Sequence, residues 1–190
     1  NKLKTHILQK LEDELSPELT YHNVQHTIEV MDQCEVAISR LGIDDQDAQL
    51  LRTAALLHDI GYIWSHKEHE LAGMEFARTE LPNYGYEEDA IVIICAIIKA
   101  TKVPQIAVTI LEKIICDADL MYLGTDDFKL RGDDLYLEFL ANKTVSNTDD
   151  WNKLQIGFLK SHRFHTDYAQ LHFGPKKQEN LDELVRQVLN

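Results

Sequence analysis

Apolar residues in this chain recur at steps of three and four, and few glycines (8) or prolines (4) interrupt them. Side chains on a strand alternate faces with period two, whereas a step of three or four returns to the same face of a helix. The spacing therefore predicts helices throughout, joined by short polar connections. Val24, Ile28, Met31, Cys34, Ile38 and Leu41 form one such stripe, and Gly42 follows where a helix C-terminus favours glycine. Val30 and Ala37 add a second apolar strip, as on a helix buried on more than one side. Further helices are predicted over residues 45–60, 67–80, 87–100, 104–123, 125–141, 149–165 and 179–189. The run 90–98 is apolar and β-rich enough for a buried strand. Glu87, Glu88 and Asp89 precede it, and negative charge there favours a helix N-terminus. Pro104 is predicted to occupy a first helical turn, with Gly124 closing the same element.

With 190 residues and no repeat, low-complexity tract or linker, the chain is expected to form a single all-α domain. Its 19 basic and 32 acidic residues give a formal charge of −13, which opposes binding to nucleic acid or to an anionic membrane. An anionic substrate then needs locally placed positive charge, and a bound metal ion is one source. Cys34, Cys95 and Cys116 are odd in number, far apart and set in apolar runs, so they read as reduced, buried thiols. No charged-then-apolar leader opens the sequence, and its longest apolar run is too short to span a bilayer. A soluble cytoplasmic protein is expected, with self-association into a homo-oligomer left open. The first residue is Asn rather than Met, so a longer parent chain is also open.

Three segments carry metal-capable side chains. In Leu56-Leu57-His58-Asp59-Ile60-Gly61, a histidine and an aspartate end an apolar helix. Adjacent helical residues point about 100° apart, so both reach one ion only near a helix end, which Gly61 supplies. A helix cap with an incidental histidine is the alternative. In Tyr21-His22-Asn23-Val24-Gln25-His26-Thr27, two histidines stand four apart at a helix start. Asn23 is predicted to cap that helix, leaving His22 in the preceding loop and His26 in the first turn. In Cys116-Asp117-Ala118-Asp119-Leu120, two carboxylates sit in an apolar helix, where an unpaired charge is costly. Spacing does not choose between Asp117 and Asp119, because each has an isoleucine one turn back.

The order His26, then His58-Asp59, then an aspartate in Ala118-Asp119-Leu120 resembles the H…HD…D signature of the HD-domain superfamily of metal-dependent phosphohydrolases. The resemblance covers about residues 21–124, leaves helices 125–190 outside it, and favours Asp119 over Asp117. It implies an HD-domain helical bundle with one divalent ion held by His26, His58, Asp59 and Asp119. Tyr21-His22-Asn23 with His26-Thr27 is similar to the matching stretch of cyclic-nucleotide phosphodiesterases, and His69-Glu70 resembles other small HD proteins.

Two imidazoles and two carboxylates suit manganese, iron, cobalt, nickel or zinc more than calcium, and magnesium is a further candidate. Such an ion raises the acidity of a water and polarises a phosphoryl oxygen. Asp59 is placed to accept the water's proton. His22, with a reference pKa of about 6.5, is the candidate donor to a leaving oxygen. Lys99 and Lys102 are candidate phosphate contacts, although a solvated pair is the plainer reading. His69 is expected to line the pocket or to pack there.

The expected activity is hydrolysis of a phosphoester in a nucleotide or related small metabolite. A nucleotide- or metal-sensing module is the competing reading. A di-iron oxygenase would need a second histidine in the segment 91–101, which has none. Neither the acidic pair of the family's alarmone hydrolases nor the Gly-Tyr-Pro motif of its cyclic-di-guanylate enzymes is present. His162 and His165 are expected in core packing or at a wet helix edge.

Overall fold

A computed structural model describes residues 2–189, and among them are nine α-helices and no strand. The helices are α1 (Lys2–Glu14), α2 (Val24–Leu41), α3 (Asp45–Leu57), α4 (His69–Glu80), α5 (Glu88–Ala100), α6 (Ile110–Asp119), α7 (Phe128–Ala141), α8 (Thr148–Ser161) and α9 (Asp167–Leu189). Short 3₁₀ turns at Ile60–Ile63, Leu81–Tyr84 and Met121–Gly124 join some of them. No helix among the described residues is long and apolar enough to cross a membrane.

Contacts divide the chain into two compact units. One comprises the residues up to Pro17 with His22–Asp119, and the other Glu18–Tyr21 with the chain from Leu120 onward.

In the first unit α3 is the central element. Leu50, Leu51, Thr53, Ala54, Ala55, Leu56 and Leu57 are all buried, so its apolar surface wraps most of the way round and must be covered on several sides. α1, α2, α5 and α6 provide that cover. The local chemistry sets where the helices start. Asn23 accepts a hydrogen bond from the His26 backbone N–H at 3.1 Å, and Asp44 accepts from those of Gln46 and Asp47. Gly42 ends α2 in the left-handed region at φ 66°, as predicted.

Several boundaries differ from the expectation. The buried face of α2 carries His26, Thr27, Val30, Cys34, Ala37 and Ile38, so it is centred on the second apolar strip, while Leu41 is exposed. α3 stops at Leu57 rather than residue 60, because the chain turns at His58 and Asp59. Pro104 does not open a helix. α6 begins six residues later, where Thr109 Oγ accepts from the Glu112 N–H and the Glu112 carboxylate accepts from Val108 and Thr109, a reciprocal capping box. The run 90–98 is helical in α5. α1 was not anticipated, although Leu3, Ile7 and Leu11 are buried at four-residue steps.

In the second unit α8 ends at Ser161, so His162 and His165 lie in the connection beyond it; His162 is buried and stacks on Phe158. α9 runs for 23 residues through Pro175, twelve residues earlier than predicted. Packing overrides the proline: Gly124 leaves room for the Phe173 backbone, and the Asn180 amide donates to the carbonyls of Leu123 and Thr125 at 3.0 Å each.

Candidate metal centre

Three chain segments of the first unit converge at one buried spot. His26 comes from the first turn of α2, His58 and Asp59 from the turn after α3, and Asp119 from the last residue of α6. One ligand-capable atom from each lies within 4.8 Å of the others. His26 Nε2 stands 3.1 Å from Asp119 Oδ1 and 3.4 Å from Asp59 Oδ2. His58 Nε2 stands 3.2 Å from Asp59 Oδ2 and 3.4 Å from His26 Nε2. Asp117 is buried but is not part of this cluster.

The ring of His58 is fixed from behind. Its Nδ1 donates to the carbonyl of Ala55 at 2.8 Å, which leaves Nε2 as the nitrogen facing the cluster. This is the outer hydrogen bond that holds a metal-binding imidazole in one tautomer and orientation.

Electrostatics within the cluster are strong. Burial alone would lower both histidines. For His26 the hydrogen bond to Asp119 and pairing with Asp59 outweigh it, and for His58 the charges of Asp59 and Asp119 do, so both shift upward. Burial likewise opposes ionisation of the carboxylates, but the adjacent histidines reverse it. Asp59 sits well below the usual carboxylate range, and Asp119 falls to about 2. Asp59 Oδ2 is buried without a hydrogen-bond partner. A buried carboxylate oxygen left without one, facing two imidazole nitrogens, is what a cation would satisfy. The donor set of two nitrogens and two oxygens fits a divalent transition metal.

Around this cluster lies a stack of rings. Tyr62 packs against His69 with centroids 3.9 Å apart and against His22 at 4.4 Å, and its hydroxyl is 3.3 Å from His22 Nε2. His69 Nε2 is 3.7 Å from Asp59 Oδ1 and 3.4 Å from Glu70 Oε1. His22 is half-buried beside His26, with ring centroids 5.8 Å apart. The approach is enforced at Gly61. A Cβ there would overlap the His69 carbonyl oxygen and come within 2.6 Å of its carbon, so the turn after the cluster presses directly on the start of α4.

Lys99 and Lys102 are not brought into the cluster. Lys99 is exposed on α5, and Lys102 pairs with exposed Glu68 at 3.2 Å. His66 meets Tyr62 edge-on and is likewise not a cluster member. Sequence reasoning missed Tyr62 and Glu70. Glu70 is buried with Oε2 unpartnered, yet it reads in sequence as an ordinary acidic residue at a helix start.

An all-α protein with a buried two-histidine, two-aspartate cluster able to hold a divalent cation is thus defined by the fold and the site. Residues 23–122, more than half of the chain, match the HD domain, and the chain belongs to that family. The crystal structure of a predicted HD superfamily hydrolase from an uncultured Thermotogales bacterium has the same fold. It is 20% identical with a TM-score of 0.61, over 97% of this chain and 88% of that one. No curated protein matches the sequence significantly.

Proposed function

We propose that this protein is a metal-dependent phosphohydrolase that cleaves a phosphoester of a nucleotide or related small metabolite. The observation carrying the reading is Asp59 Oδ2, buried without a hydrogen bond among His26, His58 and Asp119. Membership of the HD family and the hydrolase description of the Thermotogales structure support it. His26, His58, Asp59 and Asp119 would hold a divalent ion, which supplies Lewis acidity toward a water and a phosphoryl oxygen.

The chain's own groups divide the remaining work. Asp59 has two carboxylate oxygens facing different neighbours: Oδ2 toward His58 and His26, Oδ1 toward His69. The second oxygen is thus available to orient a water and take its proton. His22, outside the ligand set and half-buried, serves as the acid that protonates the leaving oxygen. Tyr62 holds the His22 ring by stacking and places its hydroxyl at the His22 Nε2. The formal charge of −13 supports a small substrate over a nucleic acid.

The test is a phosphate-release screen of nucleotides and sugar phosphates with manganese, iron, cobalt, nickel, zinc and magnesium in turn. His22→Ala is expected to retain bound metal and slow turnover by about 100- to 10,000-fold. Loss of metal in that variant would make His22 a ligand instead. Tight nucleotide binding without turnover under every metal would replace the hydrolase by a sensor.

A further inference from the structure

The second unit contains a cavity of about 380 Å³ between α7, α8 and α9, within the size range of small-molecule sites. Two features meet there. Gln155 lines the cavity, is only 7% exposed, and makes no hydrogen bond to any described residue. Its amide therefore faces the cavity, where water or a ligand can meet the donor and the acceptor. Gly132 lies in the interior of α7, where alanine would serve a helix better. A Cβ at that position would come 2.7 Å from Gln155 Nε2, so the glycine makes room for the amide. A glycine that gives up helix propensity to seat a polar side chain on a cavity wall points to a use for that side chain.

We propose that this cavity binds an uncharged nucleobase compound, a nucleoside or free base, through the Gln155 amide. A primary amide presents a donor and an acceptor side by side, the complement of an adjacent acceptor and donor on a planar heterocycle such as adenine. Asn180 also lines the cavity. Its amide nitrogen is committed to Leu123 and Thr125, which leaves the carbonyl oxygen to accept from a ligand. Trp151 and Phe128 contribute aromatic surface to the same walls. The rim argues against a phosphate: Lys129 is paired with Asp133 at 2.8 Å and Lys176 with Asp126 at 2.6 Å, and Glu183 adds a further negative charge.

The chain has two tryptophans, so Trp64→Phe leaves Trp151 as the only indole reporter. In that background adenosine is expected to change Trp151 fluorescence saturably, and AMP to bind at least tenfold more weakly. Gln155→Leu should weaken adenosine at least tenfold. Gly132→Ala should do the same by displacing the amide while keeping or raising the unfolding midpoint, and it decides the matter if Gln155→Leu does not fold. His58→Ala, which disables the other unit's cluster, should leave adenosine binding unchanged. The proposal is overturned by no saturable change at millimolar adenosine, by AMP binding more tightly, or by binding that survives both cavity variants.

Discussion

Replacing Gly61 with alanine adds one methyl group at the closest approach made by any glycine of the first unit. The new Cβ would overlap the His69 carbonyl oxygen, lie 2.6 Å from its carbon and 2.8 Å from the Gly73 nitrogen. All three are backbone atoms of α4, so no side-chain rotation relieves the clash, and the turn 60–63 must part from the helix. Overpacking of a close-packed region costs about 1–3 kcal/mol, and here the upper end applies because only backbone can move. For a chain of this size, about 3 kcal/mol corresponds to a melting point lower by roughly 6–12 °C. The displacement also separates His69 from Asp59, whose Oδ1 now stands 3.7 Å from His69 Nε2. Gly42→Ala is the matched control: its φ of 66° is unfavourable for alanine, but no atom lies within 4 Å, so about 1 kcal/mol is lost with no effect on the site. Thermal unfolding by circular dichroism, with metal content measured on the same samples, reads both. A Gly61→Ala protein within 2 °C of the parent, roughly 0.5–1 kcal/mol, and fully metal-loaded would refute the reasoning.

Three further outcomes are expected. In metal-free protein the raised histidines contribute stability that is complete below about pH 6.5 and lost as pH rises through their folded values. The depressed carboxylates contribute above about pH 4, and this is lost as pH falls through their folded values, about 2 for Asp119. Metal competes for the same imidazole nitrogens, so the rise in melting point on adding metal should grow from pH 5.5 to 8.5, as roughly expected when bound protons must be displaced; a gain that shrinks over that range would contradict the ligand set. Asn23→Ala removes the cap that fixes the start of α2 and should cost about 1 kcal/mol in urea unfolding while weakening metal retention by His26; unchanged stability would show that the cap contributes nothing. Burial pushes the thiols of Cys34 and Cys116 well up, so native protein at pH 8 should resist thiol reagents at both positions until denatured, as followed by mass spectrometry.

The helical class was readable because amphipathic spacing reports burial directly, and α3 and α5 show it in runs that survive any choice of boundary. Asn23 and Gly42 were readable for the same reason, since each performs a backbone task that few residues can. What escaped depended on distant partners. The position of α6 follows from Thr109 and Glu112 rather than from Pro104, and α9 continues through Pro175 because Asn180 and Phe173 pack against the chain near Gly124. The ring of Tyr62 between His22 and His69 joins three segments 40 and seven residues apart in sequence, which no local pattern encodes. Asp119 was distinguished from Asp117 by resemblance alone, and the structure gathers Asp119 with the histidines.

The proposed function requires that His26, His58, Asp59 and Asp119 together hold a divalent ion. Elemental analysis of protein purified without chelator, parent and His58→Ala side by side, addresses it most directly. About one equivalent of a divalent transition metal per parent chain is expected. Near-complete loss is expected in a His58→Ala protein whose circular dichroism still reports the helices. Parent protein that takes up no divalent metal, or a His58→Ala protein that retains the full complement, would contradict it.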